Sequence, residues 1–546
     1  MEISLRTTNT IERLNKGMNY PAASRLSDNY DAIYGRIREN LKAREHSMAY
    51  IQSYKGQAWL LPPSIEDMIP ENHICYLVEG LVESLDYTPF DIKYSGAGHP
   101  AYHPRVLLKI LIMGIIDRIR SSRRLARNSR ENIVYIYLSE KLSPDFRTIS
   151  DFRKNNPELL KEVFKHTVSF AKEEGILDLS YICTDGSKIK ANASNRAVMN
   201  EQEMKVLMNF VEQELQEWER QDSIEDEADQ PTNINKVTIR KAAQYYIKKL
   251  KEKDVKGTTI LQQAMQSMKT DKAKQVSMTD PESRFMKTRS GKIELTYNCQ
   301  ITTSKNGIIL ANEVCNNSTD YKQLIPQIQQ TEANVGKLGI NTIWACDSGY
   351  FEGENIKFLS DNKIDGYIPD NNIGKAKNPY DKKNFRYNPE RNVYMCPMGQ
   401  QLSFIGKNYD RQKNKMVKLY RGQACLICSK QKQCTGRKDG IRHIKMFPHE
   451  MQRNAMTAKM ATNKAKEIYK LRQQIIEPVF GDIKENKGMR TFLTRGLKTV
   501  RGEFQLICAA VNIKRIWAKI RDKNGKSDGF TSPLLPSQVC LQYQFC

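Results

Sequence analysis

The chain has 546 residues, enough for three or four folding units and a sizeable buried core. Lys and Arg outnumber Asp and Glu by 86 to 62, and the resulting charge of +24 is spread along the chain, which points to a polyanionic partner because each neutralised phosphate releases counterions. The most apolar run, Val106 to Ile116, is too short to cross a bilayer and the opening residues lack the apolar core of a secretory signal, so a soluble chain in a reducing cytoplasm is expected, with its twelve cysteines as thiols.

Residues 1–47 are polar, mixed in charge and weakly patterned, and read as a loosely attached leader. From Met48 a new register runs through Leu60, Leu61, Pro62 and Pro63 into a helical unit ending near residue 170. Leu77, Leu81 and Leu85 stand four apart, and Val106, Leu107, Ile110, Leu111 and Ile115 form a second stripe at helical spacing. Gly96, Gly98, Pro100 and Pro104 interrupt the two. Arg118, Arg120, Arg123, Arg124, Arg127 and Arg130 follow, a basic face of the kind that helical nucleic-acid-binding modules present.

A change of pattern then opens the first part of a core, residues 171–200, in which Leu179 to Cys183 predicts a strand ending in Thr184-Asp185-Gly186-Ser187. Over 201–275, Met204, Leu207, Val211, Leu215 and Trp218, then Ile239, Ala243, Tyr246 and Leu250, predict an inserted helical hairpin. Strand character returns over 276–380. Ile293 to Thr303 and Gly307 to Val314 flank the turn Ser304-Lys305-Asn306-Gly307, Asn341 to Cys346 ends in Asp347-Ser348-Gly349-Tyr350, and Ile364 to Ile368 follows. A cysteine-rich stretch occupies 381–450, a long helical pattern runs from Asn454 to Lys487 within 451–520, and 521–546 form a tail. This order predicts a mixed α/β core interrupted by inserts.

Phosphoryl transfer with two metal ions needs carboxylates that converge from different elements, since ions roughly 3.5 to 4 Å apart must each touch one phosphate. Asp185 and Asp347 are each expected at the polar end of a strand, where a side chain can leave the sheet into a crevice. Glu477 falls in the late helix among Tyr469, Arg472 and Lys484, and the seven-residue step from Glu477 to Lys484 puts both on nearly one face. Taken singly, the aspartates fit equally as turn caps beside glycine, and Glu477 as a solvated helix charge. Asp178, Asp482 and Glu485 compete as ligands, and Asp320 reads as the cap of a helix starting at Tyr321.

Thr184-Asp185-Gly186-Ser187, Ala345-Cys346-Asp347-Ser348-Gly349-Tyr350 and Glu477-Pro478-Val479-Phe480-Gly481-Asp482-Ile483-Lys484 resemble insertion-sequence transposases of the DDE class. Tyr469, Arg472, Glu477 and Lys484 are similar to a pattern of that class, with the gap from Arg472 to Glu477 one residue longer than in one well-known version. Asp280-Pro281-Glu282-Ser283-Arg284 and Tyr297-Asn298-Cys299-Gln300 resemble blocks between the two aspartates. Gly98-His99-Pro100-Ala101-Tyr102-His103-Pro104, Ser121-Ser122-Arg123-Arg124-Leu125 and Phe146-Arg147-Thr148-Ile149-Ser150-Asp151-Phe152-Arg153 resemble an InsH-type N-terminal transposase domain. The resemblance spans about Met48 to Lys519, and family members begin near the first of these residues, so 1–47 reads as an extension.

The resemblance implies an RNase H-like mixed sheet flanked by helices, behind an all-α DNA-binding domain at 48–170. It implies Mg2+ or Mn2+, two ions, on Asp185, Asp347 and Glu477. The implied partner is double-stranded DNA, at the element's terminal inverted repeats and at the target. Hydrolysis at the element's ends would be followed by attack of the freed 3′-hydroxyl on target DNA, by at least a homodimer associated with the nucleoid. Arg123, Arg124, Tyr469, Arg472, Lys484, Arg490 and Arg495 are the expected DNA contacts, with Lys487 and Lys498 on the same path. An RNase H-like nuclease that cuts without joining, and a catalytically inactive DNA-binding relic or repressor, are the alternatives.

Cys396, Cys425, Cys428 and Cys434 stand in a polar, lysine-rich stretch with little apolar content to bury, and such a segment folds poorly without a staple. Cys425-Leu426-Ile427-Cys428 offers two thiolates at the spacing of a tetrahedral zinc site, with Cys396 and Cys434 as the other pair and His443 as a substitute ligand. Related transposases carry a similar insertion before the glutamate, so a structural Zn2+ in a small ribbon-like insertion is expected, against free surface thiols. Cys75, Cys183, Cys299, Cys315, Cys346 and Cys508 sit in apolar surroundings as core fillers. His99 and His103 lack a ligand partner at metal spacing and read as structural or phosphate-contacting.

Overall fold

The computed structural model describes residues 64–94, 101–207, 209, 255–270, 274–340, 342–370, 378–411 and 415–524. The leader, His99, most of the helical hairpin and the end of the tail lie outside these.

A helical unit comes first: α1 Ile74–Glu83, α2 Thr88–Tyr94, α3 Pro104–Ile116, α4 Ser122–Glu131, α5 Ile133–Leu138, α6 Phe146–Asn155 and α7 Pro157–Glu173. Leu77 and Leu81 fall on α1 and the second stripe on α3, as their spacing predicts. Proline fits the first turn of α3, where no amide hydrogen is needed. The ring of His103 caps that turn, its Nδ1 accepting from Arg105 N at 3.2 Å. Arg105 apart, α3 is buried from Pro104 through Ile115, so it is a central helix rather than one with a solvent face. Even Lys109 is only 1% exposed; its ammonium meets Glu83 and Glu140 at 2.9 Å each, the pairing a buried charge requires.

The core sheet is built from β1 Tyr181–Lys190, β4 Arg284–Lys287, β5 Ile293–Thr303, β6 Ile309–Cys315, β7 Ile343–Cys346 and β8 Asp365–Tyr367. A separate ribbon pairs β2 Val198–Asn200 with β3 Gln275–Ser277, on either side of α8 Val255–Thr270. The core order is β4-β5-β1-β7-β8, with β6 also on β5. β1 runs antiparallel to β5 and parallel to β7, and β7 is parallel to β8. β4 and β6 share the remaining edge of β5, pairing with residues 293–296 and 298–303. β5 has the predicted bounds, while β6 starts two residues later than expected. α9 Leu324–Val335 and α10 Gly353–Asp361 connect these strands.

The cysteine-rich stretch departs from expectation. Its strands β9 Arg386–Asn388, β10 Val393–Met395, β11 Gln401–Asp410, β12 Lys415–Gly422 and β13 His443–Met446 form a five-stranded antiparallel sheet in the order β13-β12-β11-β10-β9, with α11 Gln431–Cys434 beside it. Phe385, Tyr394, Leu402, Tyr420, Ile444 and Met446 make a core of its own. The many lysines among those residues hide them from a composition reading.

The single late helix predicted from Asn454 is two helices, α12 Glu450–Ala461 and α13 Asn463–Gly481. The break falls at Thr462, whose hydroxyl accepts from Ala465 N and caps α13. A π turn, Asp482–Asn486, follows. α14 Leu497–Asn524, 28 residues long, has no counterpart in the sequence expectations. It packs on α7, β6 and α3, and so joins helical unit and sheet in one core that includes Leu108, Phe164, Ile301, Phe504 and Ile513. Among the described residues no helix is long and apolar enough to cross a membrane.

Candidate active site

β1 and β7 bring the two aspartates together. Their parallel register pairs Ile182 with Trp344, Cys183 with Ala345 and Thr184 with Cys346, and the next residue on each strand is an aspartate. These apolar residues are fully buried, as expected of central parallel strands. The expectation that β1 ends at Asp185 needs correcting, since the strand continues to Lys190 with Asp185 opposite Ile301 of β5. What ends there is the pairing with β7, so Asp185 and Asp347 stand side by side where a strand edge opens at the carboxyl ends of the parallel pair. Asp347 caps the turn Ser348–Tyr350, accepting from Gly349 N.

Burial pushes the Asp185 carboxyl up to about 6, with Asp347 and Asp320 adding to the rise and Arg472 opposing it. Arg472, on the buried face of α13 with Ile476 and Val479, places Nη2 2.9 Å from Asp185 Oδ1. Tyr469 stands one turn earlier, and burial raises its phenol to about 12. Past the end of α13, Lys484 Nζ donates to Ser187 Oγ on β1, two residues beyond Asp185. Glu477 is exposed and makes no hydrogen bond or ion pair among the described residues. Among those residues, no three His, Cys, Asp or Glu side chains converge closely enough to hold a metal ion. The structure therefore joins Asp185 and Asp347, and leaves Glu477 exposed on α13, apart from them.

Asp320 was expected to cap a helix at Tyr321; instead α9 starts at Leu324 and the Asp320 carboxylate makes no cap. Its Oδ1 accepts from Asn298 Nδ2 at 2.6 Å and Gln300 Nε2 at 2.8 Å, with Lys188 Nζ at 3.5 Å. Gln300 Oε1 in turn accepts from the Tyr350 hydroxyl. Sequence reasoning missed this network, although the Asn298 and Gln300 block was visible as a motif. Of the competing carboxylates, Asp178 accepts from Ser180 and faces Lys305, and Glu485 pairs with Arg490.

The other expected DNA contacts divide. Arg123 and Arg124 are exposed on α4, with Arg123 over the Phe146 ring at 5.1 Å. Arg490 and Arg495 are exposed, and Arg495 Nε donates to Asn192 O at 2.8 Å. Lys487 is no surface residue: it is 1% exposed, its ammonium reaches Ile116 O at 3.3 Å, and burial lowers it to about 8. Arg120 likewise turns to the protein, donating to Gly488 O, Thr491 O and Glu503 Oε1 at 2.7 Å each. The Asp280-Pro281-Glu282 block is structural, since Asp280 Oδ1 accepts from Tyr297 Oη and Gly496 N and Glu282 accepts from Leu497 N at the start of α14.

Cys396, Cys425, Cys428 and Cys434 all line one cavity on the small sheet, with Tyr380, Phe385 and Arg442. Cys396 sits in a turn closed by Gly399 N, and Cys425 in one closed by Cys428 N. Burial pushes the Cys434 thiol up, and the other three thiols push it further. His443 is not among the lining residues; its Nε2 lies 3.8 Å from Asp439. Cys75, Cys183, Cys299, Cys315, Cys346 and Cys508 are buried, as their surroundings predict.

Fold and site thus define a mixed α/β core with two aspartates where the pairing of adjacent parallel strands ends, joined to an all-helical unit. Residues 395–517 match the family model described as Transposase DDE domain, and residues 63–155 match the one described as Transposase domain (DUF772). These matches support an insertion-sequence transposase with a role on DNA, and the mixed sheet is compatible with such a core. The first takes in the four cysteines from Cys396 on, Glu477 and Lys484; the second covers the helical unit through α6. Asp185 and Asp347 lie outside both. No curated protein matches the chain.

Proposed function

We propose that the chain is a DDE-class DNA transposase that binds the ends of an insertion element, cleaves them by metal-dependent hydrolysis and joins the 3′-hydroxyl ends to target DNA. This rests above all on one register, Thr184 beside Cys346, which makes Asp185 and Asp347 neighbours on parallel strands. The strand order β6-β5-β1-β7-β8, with β5 alone reversed, supports an RNase H-like core.

The donors fit a divalent cation: two half-buried carboxylates share one strand edge, and burial, with Asp347 and Asp320 beside it, raises the Asp185 carboxyl against the opposing pull of Arg472. Asp185 and Asp347 would bind it, with Glu477 as the third carboxylate. A bound cation there would stabilise charge on the attacking and leaving oxygens of a phosphate. Arg472 keeps Asp185 ionised and oriented. The Lys484 ammonium, beside Ser187, suits a phosphate oxygen next to the aspartates. Glu477 is exposed on α13, the helix whose buried face carries Arg472 to Asp185. Arg123, Arg124, Arg490 and Arg495 supply exposed charge for the DNA backbone, and two ends held together require at least a homodimer.

A structural Zn2+ on Cys396, Cys425, Cys428 and Cys434 belongs to the same reading, supported by the four thiols that line one cavity.

The test is incubation of the full chain with end-containing DNA and Mg2+. Nicks at the ends are expected, and a pre-cut end should be joined to target DNA. Asp185→Ala or Asp347→Ala should abolish both while sparing end binding; nicking retained in either variant overturns the proposal. Cutting without joining would indicate a nuclease, and binding without cutting an inactive relic.

A further inference from the structure

Asp320 lies against the glycines that follow the two aspartates of the site, although no motif marks it. A Cβ placed on Gly186, the residue after Asp185, would sit 2.8 Å from Asp320 Oδ1 and collide with the Gln300 amide. A Cβ placed on Gly349, two residues after Asp347, would sit 3.3 Å from Asp320 Oδ2 and 2.8 Å from Asp347 Oδ1. Glycine inside a strand weakens it, and its usual justification is the close approach of another group. Here the approaching group is the Asp320 carboxylate, for which both glycines leave room.

The carboxylate is also held from the strands that carry the site. Lys188 comes from β1, and Asn298 and Gln300 from β5. Gln300 takes the Tyr350 hydroxyl as well, so the turn bearing Asp347 and the strand bearing Asp185 are tied through one network. No three carboxylates among the described residues reach metal-holding distance, so Asp320 does not join the pair as a third ligand.

We propose that Asp320 is a positioning residue for the divalent-cation site of Asp185 and Asp347, a role that rests on the metal-dependent reading above. Wedged against Gly186 and Gly349, it fixes the Asp347 turn against β1 and adds a negative charge to the field that draws the cation in.

Mn2+ alone is the probe, titrated calorimetrically into the full-length chain, with melting followed in parallel. Asp320→Asn should weaken Mn2+ binding by about 10-fold or more, the loss typical of a group that orients metal ligands. Asn298→Ala, which keeps every charge and removes the 2.6 Å hydrogen bond that holds the Asp320 carboxylate, should weaken it similarly, and decides the matter should Asp320→Asn not fold. Glu162→Gln, an exposed change on α7, should leave binding at the parent value. A purely structural Asp320 would lower melting and leave the Mn2+ affinity of the folded chain unchanged; that result, with binding lost in Asp185→Asn, overturns the proposal and spares the site. Parent-like Mn2+ binding by Asp185→Asn would instead remove the site itself.

Discussion

The Arg472 guanidinium lies 2.9 Å from the Asp185 carboxylate, both largely buried, so an arginine from the late helix supplies the positive charge facing the first aspartate. Removing one partner of a buried ion pair leaves the other uncompensated. Arg472→Met should therefore lower the stability of the metal-free chain by about 3 kcal/mol. Added Mn2+ should recover more stability in the variant than in the parent, because a cation at Asp185 then restores charge that Arg472 already provides in the parent. Melting with and without Mn2+ checks this; equal Mn2+ shifts in both proteins would mean that the pair is unrelated to cation binding.

Asp280 gives a pH prediction. Burial pushes its carboxyl up to about 6, and Oδ2 has no hydrogen-bond partner. The folded chain thus holds this proton more tightly than the unfolded chain, and stability falls as pH rises from about 4 to 6. Asp280→Asn keeps an acceptor for Tyr297 and Gly496 and carries no charge. It should flatten that slope and raise stability at pH 8 by about 2 to 3 kcal/mol. Denaturant midpoints of parent and variant from pH 4 to 8 test it, and parallel curves would refute it.

Arg120 bonds to two carbonyls and to Glu503, which is 4% exposed by its side chain, and so ties the helical unit to the segment after α13. Arg120→Ala should destabilise the chain by about 3 kcal/mol and release that segment. Hydrogen exchange should show faster opening at residues 486–494 than in the parent. Unchanged protection there would argue that the contact contributes nothing.

Purified chain should contain about one Zn2+, which Cys425→Ser or Cys434→Ser removes. Because the small sheet has an aromatic core of its own, these variants should melt at a lower temperature yet keep their β structure. Full zinc content in both variants would exclude the four-thiol site; loss of the β signal would mean that the core is insufficient without metal.

Much of the site could be read from the chain itself. Asp185 and Asp347 each stand at the close of a short, mostly apolar run with a glycine one or two residues on, and that local pattern survives into the fold as the end of a parallel pairing. β5 could be bounded to the residue because an eleven-residue run with a Ser-Lys-Asn-Gly turn after it admits few other readings. Lys484 reaches Ser187 from a π turn beyond α13, which a seven-residue step on one regular helix did not anticipate.

Other features have no local trace. Asp320 looks like a helix cap because three of its partners, Lys188, Asn298 and Gln300, belong to strands distant in the chain. Lys487 and Arg120 look like DNA contacts because charge is visible in sequence and burial is not. α14 escapes notice because its apolar residues from Leu506 to Val511 run nearly all round the helix, leaving no stripe to detect. The amino-acid order alone determines which residues can act, because strand, turn and helix periodicity depend on near neighbours. Tertiary structure decides which charges face solvent, which face one another and which carboxylates meet, because burial and the pairing of distant strands arise only when the sheet closes against α13 and α14.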